Sequence, residues 1–385
     1  MKLQIDTIKK TLQSVIKQDD FTPLHAPIFE GNEVAYVTDC IESNFVSSVG
    51  EYVTRLEKML QEYTGAKYAI LTVNGTAALH VSLLLCDVKR EDEVLMPALT
   101  FIATTNAVSY IGATPHFVDV DEETLGIDAK RLDRYLEEIS TMKDGYCINR
   151  KSGKRIKAIV PMHTFGHPVD MDALSLVVEK YNIEVIEDAA ESLGSFYKDR
   201  HTGNHSKLSA ISFNGNKIIT TGGGGAILTN DEVLAKSAKH MTTTAKIPHK
   251  WEFNHDMIGF NYRMPALNAA LGLAQLEQMD KFIERKRDLA WRYVKAFKDI
   301  KGIKIFKEPS YAKSNYWLNA LILDRGYEEM RDELLQVTND AGIMTRPIWT
   351  LMSKLEMFNS CPKMDLSVSE SLERRVINIP SGAWL

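Results

Sequence analysis

The stretch SFNGNKIITTGGGG, residues 212–225, sets Lys217 between a polar loop and four successive glycines. A lysine amine is a nucleophile only when deprotonated, and its reference pKa is ~10.4. Burial or a neighbouring positive charge lowers that value, which is how Schiff-base lysines are made. A loop can carry such a side chain into a cleft without breaking a helix or strand, and glycines let a ligand or a second backbone segment come close. The alternative is a solvated lysine on a surface loop. Two other stretches bear on the choice. KYAILTVNGTAAL reads as strand, tight turn and helix, with Gly75 and Thr76 at the helix start. Free amides and the helix dipole there suit a phosphate, to which the hydroxyls of Thr76 and Ser212 could add donors. An ordinary helix cap with a turn glycine fits the same residues. NIEVIEDAAESLG ends its strand in Glu187 and Asp188, with Ala189 and Ala190 following. That carboxylate could face a ligand packed against the sheet, or it could cap a helix.

A loop lysine, a strand-end carboxylate and a phosphate cradle together match what pyridoxal phosphate requires. Its aldehyde takes the lysine, its ring nitrogen the aspartate and its phosphate the helix start. Phe101, in PALTFIAT, follows the second strand where an aromatic ring could cover one face of the cofactor; a core phenylalanine is the competing reading. Arg346 in MTRPIW is a candidate for the diphosphate of a nucleotide, with Trp349 as a stacking surface, against a surface arginine and a packed strand-end tryptophan. The pairs His163/His167 and His201/His205 have i,i+4 spacing, but their Gly, Thr and Pro neighbours place them in loops, so no metal site is expected.

These residues need a scaffold. Short apolar runs at 67–73, 92–97, 114–120, 156–162 and 182–188 alternate with helical patterns. Such alternation predicts an α/β fold, a mostly parallel sheet with helices on both faces and ligands at the carboxyl ends of its strands. After Pro265 comes one long helical pattern, 266–300, then strands at 303–306 and 316–323 and a helix at 326–342. The expected division is an N-terminal helical segment, 1–25, a large domain, 26–265, and a smaller C-terminal α/β domain, 266–385. A net charge of -5 argues against a nucleic-acid partner. The four cysteines form no close pair and no run reaches the roughly 20 apolar residues of a membrane span. A soluble, cytoplasmic protein is expected.

The series NGTAAL, PALTFIAT, GATPHFVDVD, HTFGHPVDM, IEDAAESLGS, SFNGNK, GGGGAILTND and GFNYRMPALNAALGLAQLE resembles the DegT/StrS family of nucleotide-sugar aminotransferases, over about residues 22 to 382. PLHAPIFEGNE, NFVSSVGEYV, SFNGNKIITT and GIMTRPIW make it most similar to the LegC and PglE kind. The resemblance implies aminotransferase fold type I with a seven-stranded sheet. It implies that Lys217 bonds to pyridoxal 5'-phosphate, Asp188 pairs with its ring nitrogen, Gly75, Thr76 and Ser212 hold its phosphate, and Phe101 stacks on its ring. It implies that Asn261, in FNYRM, reaches the phosphate of a second copy, so the site needs a homodimer, and it brings His163 to the rim, within reach of substrate. Glu191 departs from the family's commoner Gln or His beside the cofactor's phenolic oxygen. The implied reaction moves an amino group from L-glutamate, leaving 2-oxoglutarate, to C4 of a UDP- or GDP-linked 4-keto-6-deoxy-N-acetylhexosamine. Amination at C3, dehydration and a non-catalytic sugar-nucleotide-binding regulator are the rival readings. A dinucleotide fold would want GxGxxG after a strand, and the run at 222–225 does not give it.

Overall fold

The computed structural model describes residues 4–17, 20–48 and 50–385. Its centre is a seven-stranded sheet in the order Tyr68–Thr72, Gly225–Thr229, Leu208–Ser212, Glu184–Asp188, Ile156–Ile159, Glu93–Pro97 and Thr114–Val118. Neighbours from Leu208–Ser212 to Thr114–Val118 run parallel, while Gly225–Thr229 runs antiparallel to both strands beside it. The period-2 alternation of a strand sorts residues between the two faces. Ile70, Ala210 and Ile227 enter one apolar core, and Leu71, Ile211, Ala226 and Leu228 enter the other. Helices cover both faces, so strands such as Glu93–Pro97 are buried at every position.

The helical pattern at 266–300 is two helices, Ala266–Leu276 and Met279–Phe297. The first packs on Glu33–Glu42 and Glu51–Thr64. The second packs on the N-terminal helix Ile5–Ile16 and on Ile303–Ile305. Partners therefore change at Glu277 and Gln278. The C-terminal unit is a four-stranded antiparallel sheet, ordered Ile303–Ile305, Asn319–Leu323, Val376–Ile379, Arg346–Pro347. Ile5, Ile8 and Leu12 close its core against Leu289, Tyr293 and Leu321. The buried carboxylate of Asp119 ties the units together, accepting from the amides of Val368 and Ser369 at the start of the helix Ser367–Arg375.

Candidate active site

Thr72, Gly225 and Ser212 lie side by side across three strands. At that end of the sheet opens a cavity of about 360 Å³ lined by Gly75, Thr76, Asp188, Glu191, Ser212 and Lys217, with Phe101, Met162, Trp317 and Trp349 as its apolar wall. Asn74 caps the helix Gly75–Leu85 by accepting from the Ala77 amide at 2.7 Å. The turn before that helix meets the antiparallel strand closely. A Cβ on Gly225 would lie 2.5 Å from the carbonyl carbon of Asn74, so this glycine is required by backbone approach.

Asp188 ends its strand, 3% exposed, with Oδ2 accepting from Thr104 Oγ1 at 2.6 Å and Oδ1 from the Ala190 amide at 3.2 Å. Burial pushes its carboxyl up, against the Thr104 hydroxyl and the charge of Lys217, which lower it. A cationic ring nitrogen is the counter-charge such a group lacks.

Lys217 sits on a loop closed upon itself, where the Phe213 amide donates to Gly224 O at 2.8 Å and the Thr221 amide to Phe213 O at 3.0 Å. The helix Ala266–Leu276 supports this loop from behind. Asn268 Nδ2 donates to Thr221 O at 2.7 Å, and a Cβ on Gly272 would meet Thr221 Cγ2 at 2.5 Å. The Lys217 side chain is 11% exposed, its Nζ 3.2 Å from Glu191 Oε1 and 3.9 Å from the centre of the Trp317 ring. Phe101 is half exposed at the cavity mouth and meets Trp349 edge-on.

The structure thus gathers Lys217, Asp188, Gly75, Thr76, Ser212, Phe101, Glu191 and Trp349 about one cavity. It does not bring the other three candidates there. His163 is fully buried behind the Asp188 strand and not at the rim, its Nε2 3.0 Å from Glu187 and its Nδ1 accepting from the Val169 amide. Arg346 is exposed, donating to Asn339 Oδ1 and Thr345 O. Asn261 lies exposed outside the chain's own cavity, bonded to Arg263. Thr104, Met162 and Trp317 escaped sequence reading. Thr104 stands one turn along the helix from Phe101, a spacing that could have flagged it; Trp317 comes from the distant C-terminal unit, with no local signal.

Donors at a helix start, a buried carboxylate and a lysine face one apolar-walled cavity, and the sheet around it is that of aminotransferase fold type I, whose enzymes depend on pyridoxal phosphate. The chain belongs to the DegT/DnrJ/EryC1/StrS aminotransferase family, whose model matches residues 27–385. It is 38% identical over 361 residues to GDP-perosamine synthase of Escherichia coli O157:H7, covering 94% of this chain and 93% of that protein. It is 26% identical to a family aminotransferase from Brucella abortus, with a TM-score of 0.83 over 92% of this chain and 91% of that one. The fold also matches Spr1654 of Streptococcus pneumoniae, solved in a PLP form, at 24% identity and TM-score 0.84, covering 95% and 94% of the two chains. No helix among the described residues is long and apolar enough to cross a membrane.

Proposed function

We propose that the protein moves an amino group from L-glutamate to C4 of a nucleotide-linked 4-keto-6-deoxy-N-acetylhexosamine, for the making of a bacterial surface glycan. The observation that carries this reading is the convergence of Lys217, Asp188 and the Gly75–Thr76 helix start on one cavity. Sequence resemblance to the LegC and PglE kind supports the sugar, and the name of the Escherichia coli relative favours GDP over UDP as its nucleotide. C3 amination is the second reading.

Gly75, Thr76 and Ser212 would hold the phosphate, Asp188 the ring nitrogen and Phe101 one ring face. When bound, pyridoxal phosphate supplies an aldehyde that takes up an amine and a ring that draws charge from the neighbouring carbon. Lys217 Nζ is the amine of the cavity and the atom that would take a proton from the donor's Cα and return it. Asp188 would offer its carboxylate to a positively charged ring nitrogen. Phe101, Met162, Trp317 and Trp349 keep water from the reacting carbon. Trp349 is the stacking surface offered to the sugar nucleotide. Arg346 and His163 stand away from the cavity and drop out of this substrate set.

A homodimer belongs to this reading. Trp251, Phe253 and Ile258 are 72%, 77% and 86% exposed in the single chain, three large apolar side chains in the segment leading to Asn261 that a second copy could cover. The test begins with an absorption spectrum of the purified protein given pyridoxal phosphate and then L-glutamate. A band that bleaches with glutamate and returns with 2-oxoglutarate is expected, followed by product formation with the GDP- or UDP-linked 4-keto sugar. A protein indifferent to glutamate in the presence of the cofactor sinks the reading.

A further inference from the structure

Lys217 has an unusual pair of neighbours. On one side lies Glu191, whose Oε2 accepts from the Phe165 amide at 2.9 Å while Oε1 faces Lys217 Nζ at 3.2 Å. On the other lies the indole of Trp317, 4% exposed, with the ammonium 3.9 Å from its ring centre. The same indole donates from Nε1 to the carbonyl of Asn216 at 2.7 Å, so it fixes the backbone immediately before the lysine as well as the lysine's head. Trp317 is itself placed by Asn315, whose Oδ1 accepts from the Trp317 amide at 2.7 Å and whose Nδ2 donates to Glu191 O at 2.9 Å. One asparagine thus sets the spacing of both partners.

We propose that Glu191 and Trp317 are positioning residues forming a resting place for the Lys217 ammonium, which the lysine occupies while its amine carries a proton. A carboxylate and an aromatic face both attract a cation more than a neutral amine. The resting place therefore orients the ammonium toward the cavity between its two tasks of receiving and giving a proton. The inference rests on the aminotransferase reading for its purpose, but its geometry belongs to the chain alone.

The charge state of the pair depends on pH. Burial pushes the Glu191 carboxyl up to about 7, opposed by the charge of Lys217 and the Phe165 amide and assisted by the charge of Asp188. His25 also faces the lysine; desolvation, then the charges of Lys286 and Lys217, hold its imidazole well below the usual range, so it adds no positive charge near neutrality. Above pH about 7 the resting place is an ion pair. Below it, Glu191 becomes neutral and the indole alone faces the ammonium.

The experiment uses the full chain stripped of pyridoxal phosphate, pulsed with an amine-acylating reagent between pH 7 and 11 and read by peptide mass spectrometry at Lys217. The exposed Lys298 serves as reference. Glu191→Gln preserves shape and an acceptor for Phe165, and should raise the rate of Lys217 acylation relative to Lys298 about tenfold at fixed pH, since the carboxylate no longer holds the ammonium. Trp317→Leu should raise it by less, and Trp317→Phe should recover part of that change while still lacking the bond to Asn216. Rates unchanged in both Glu191→Gln and Trp317→Leu, in proteins with native circular dichroism, overturn the proposal. Failure of the aminotransferase reading would show separately, as a chain that ignores cofactor or glutamate while its lysine profile still responds to these variants.

Discussion

Lys286 and Lys217 make a contrast: the first is fully buried in the protein, and the second, part-buried, lies in the cavity. Lys286, on the helix Met279–Phe297, is fully buried and donates to the carbonyls of Trp317, at 3.1 Å, and Ser381. Burial alone pulls its ammonium down to about 7. Lys217 stands on a loop, opens onto a cavity and faces a carboxylate. A lowered pKa is therefore no mark of catalysis by itself. What separates the two is access for a ligand and a partner able to compensate the charge. They are also linked: Lys286 holds the carbonyl of Trp317, and the ring of Trp317 lies against Lys217.

The largest effect that would sharpen this contrast is Lys217→Ala. It should reduce turnover by about 10³-fold or more, since it removes the proposed general acid and base. The cofactor should then bind without forming a covalent bond, which borohydride trapping and mass spectrometry would check. Lys286→Met should instead act on stability. The folded ammonium releases its proton near pH 7 and the unfolded one near 10.5, so the wild type gains stability as pH rises between those values, by a few kcal/mol at most. The urea midpoint of the variant minus that of the wild type should shrink steadily from pH 7 through 8.5 to 10, since the buried cysteines and tyrosines titrate alike in both. The comparison breaks if Lys286→Met silences the glutamate response as fully as Lys217→Ala does. The smallest effect belongs to Phe101→Leu, which should weaken cofactor retention by about 5- to 10-fold through loss of an aromatic contact worth about 1 kcal/mol. Dialysis against buffer, followed by absorbance, would measure it.

The contrast also explains how much could be read in the sequence. Asp188, Gly75 and Ser212 were legible because a strand's end and the following turn are local, and the sheet brings such ends together. Five of the seven strands could be anticipated for the same reason, since their apolar runs stand between clear turns; Leu208–Ser212 and Gly225–Thr229, which flank the lysine loop, were not among them. Trp317 was not legible. Its place depends on how the C-terminal unit docks through Asn315 and Asp119, and nothing in YWLNALIL announces that. Nor could MTRPIW show that Arg346 turns toward Asn339 while Trp349, three residues on, reaches the cavity. HTFGHPVDM marked His163 as notable but not as the partner of Glu187, a carboxylate that also accepts from the amides of Gly203 and His205.

The reversed direction of Gly225–Thr229 has one more outcome. Because this strand starts at the end of the sheet where Leu208–Ser212 stops, the intervening segment leaves and re-enters at the same edge. Lys217 thus rides on a handle with both roots in rigid sheet, and the length between the roots can change without disturbing a single rung of the ladder. How far the amine reaches is thus set by the handle and by its hold on Asn268, and the strands on either side need not shift register for it to move.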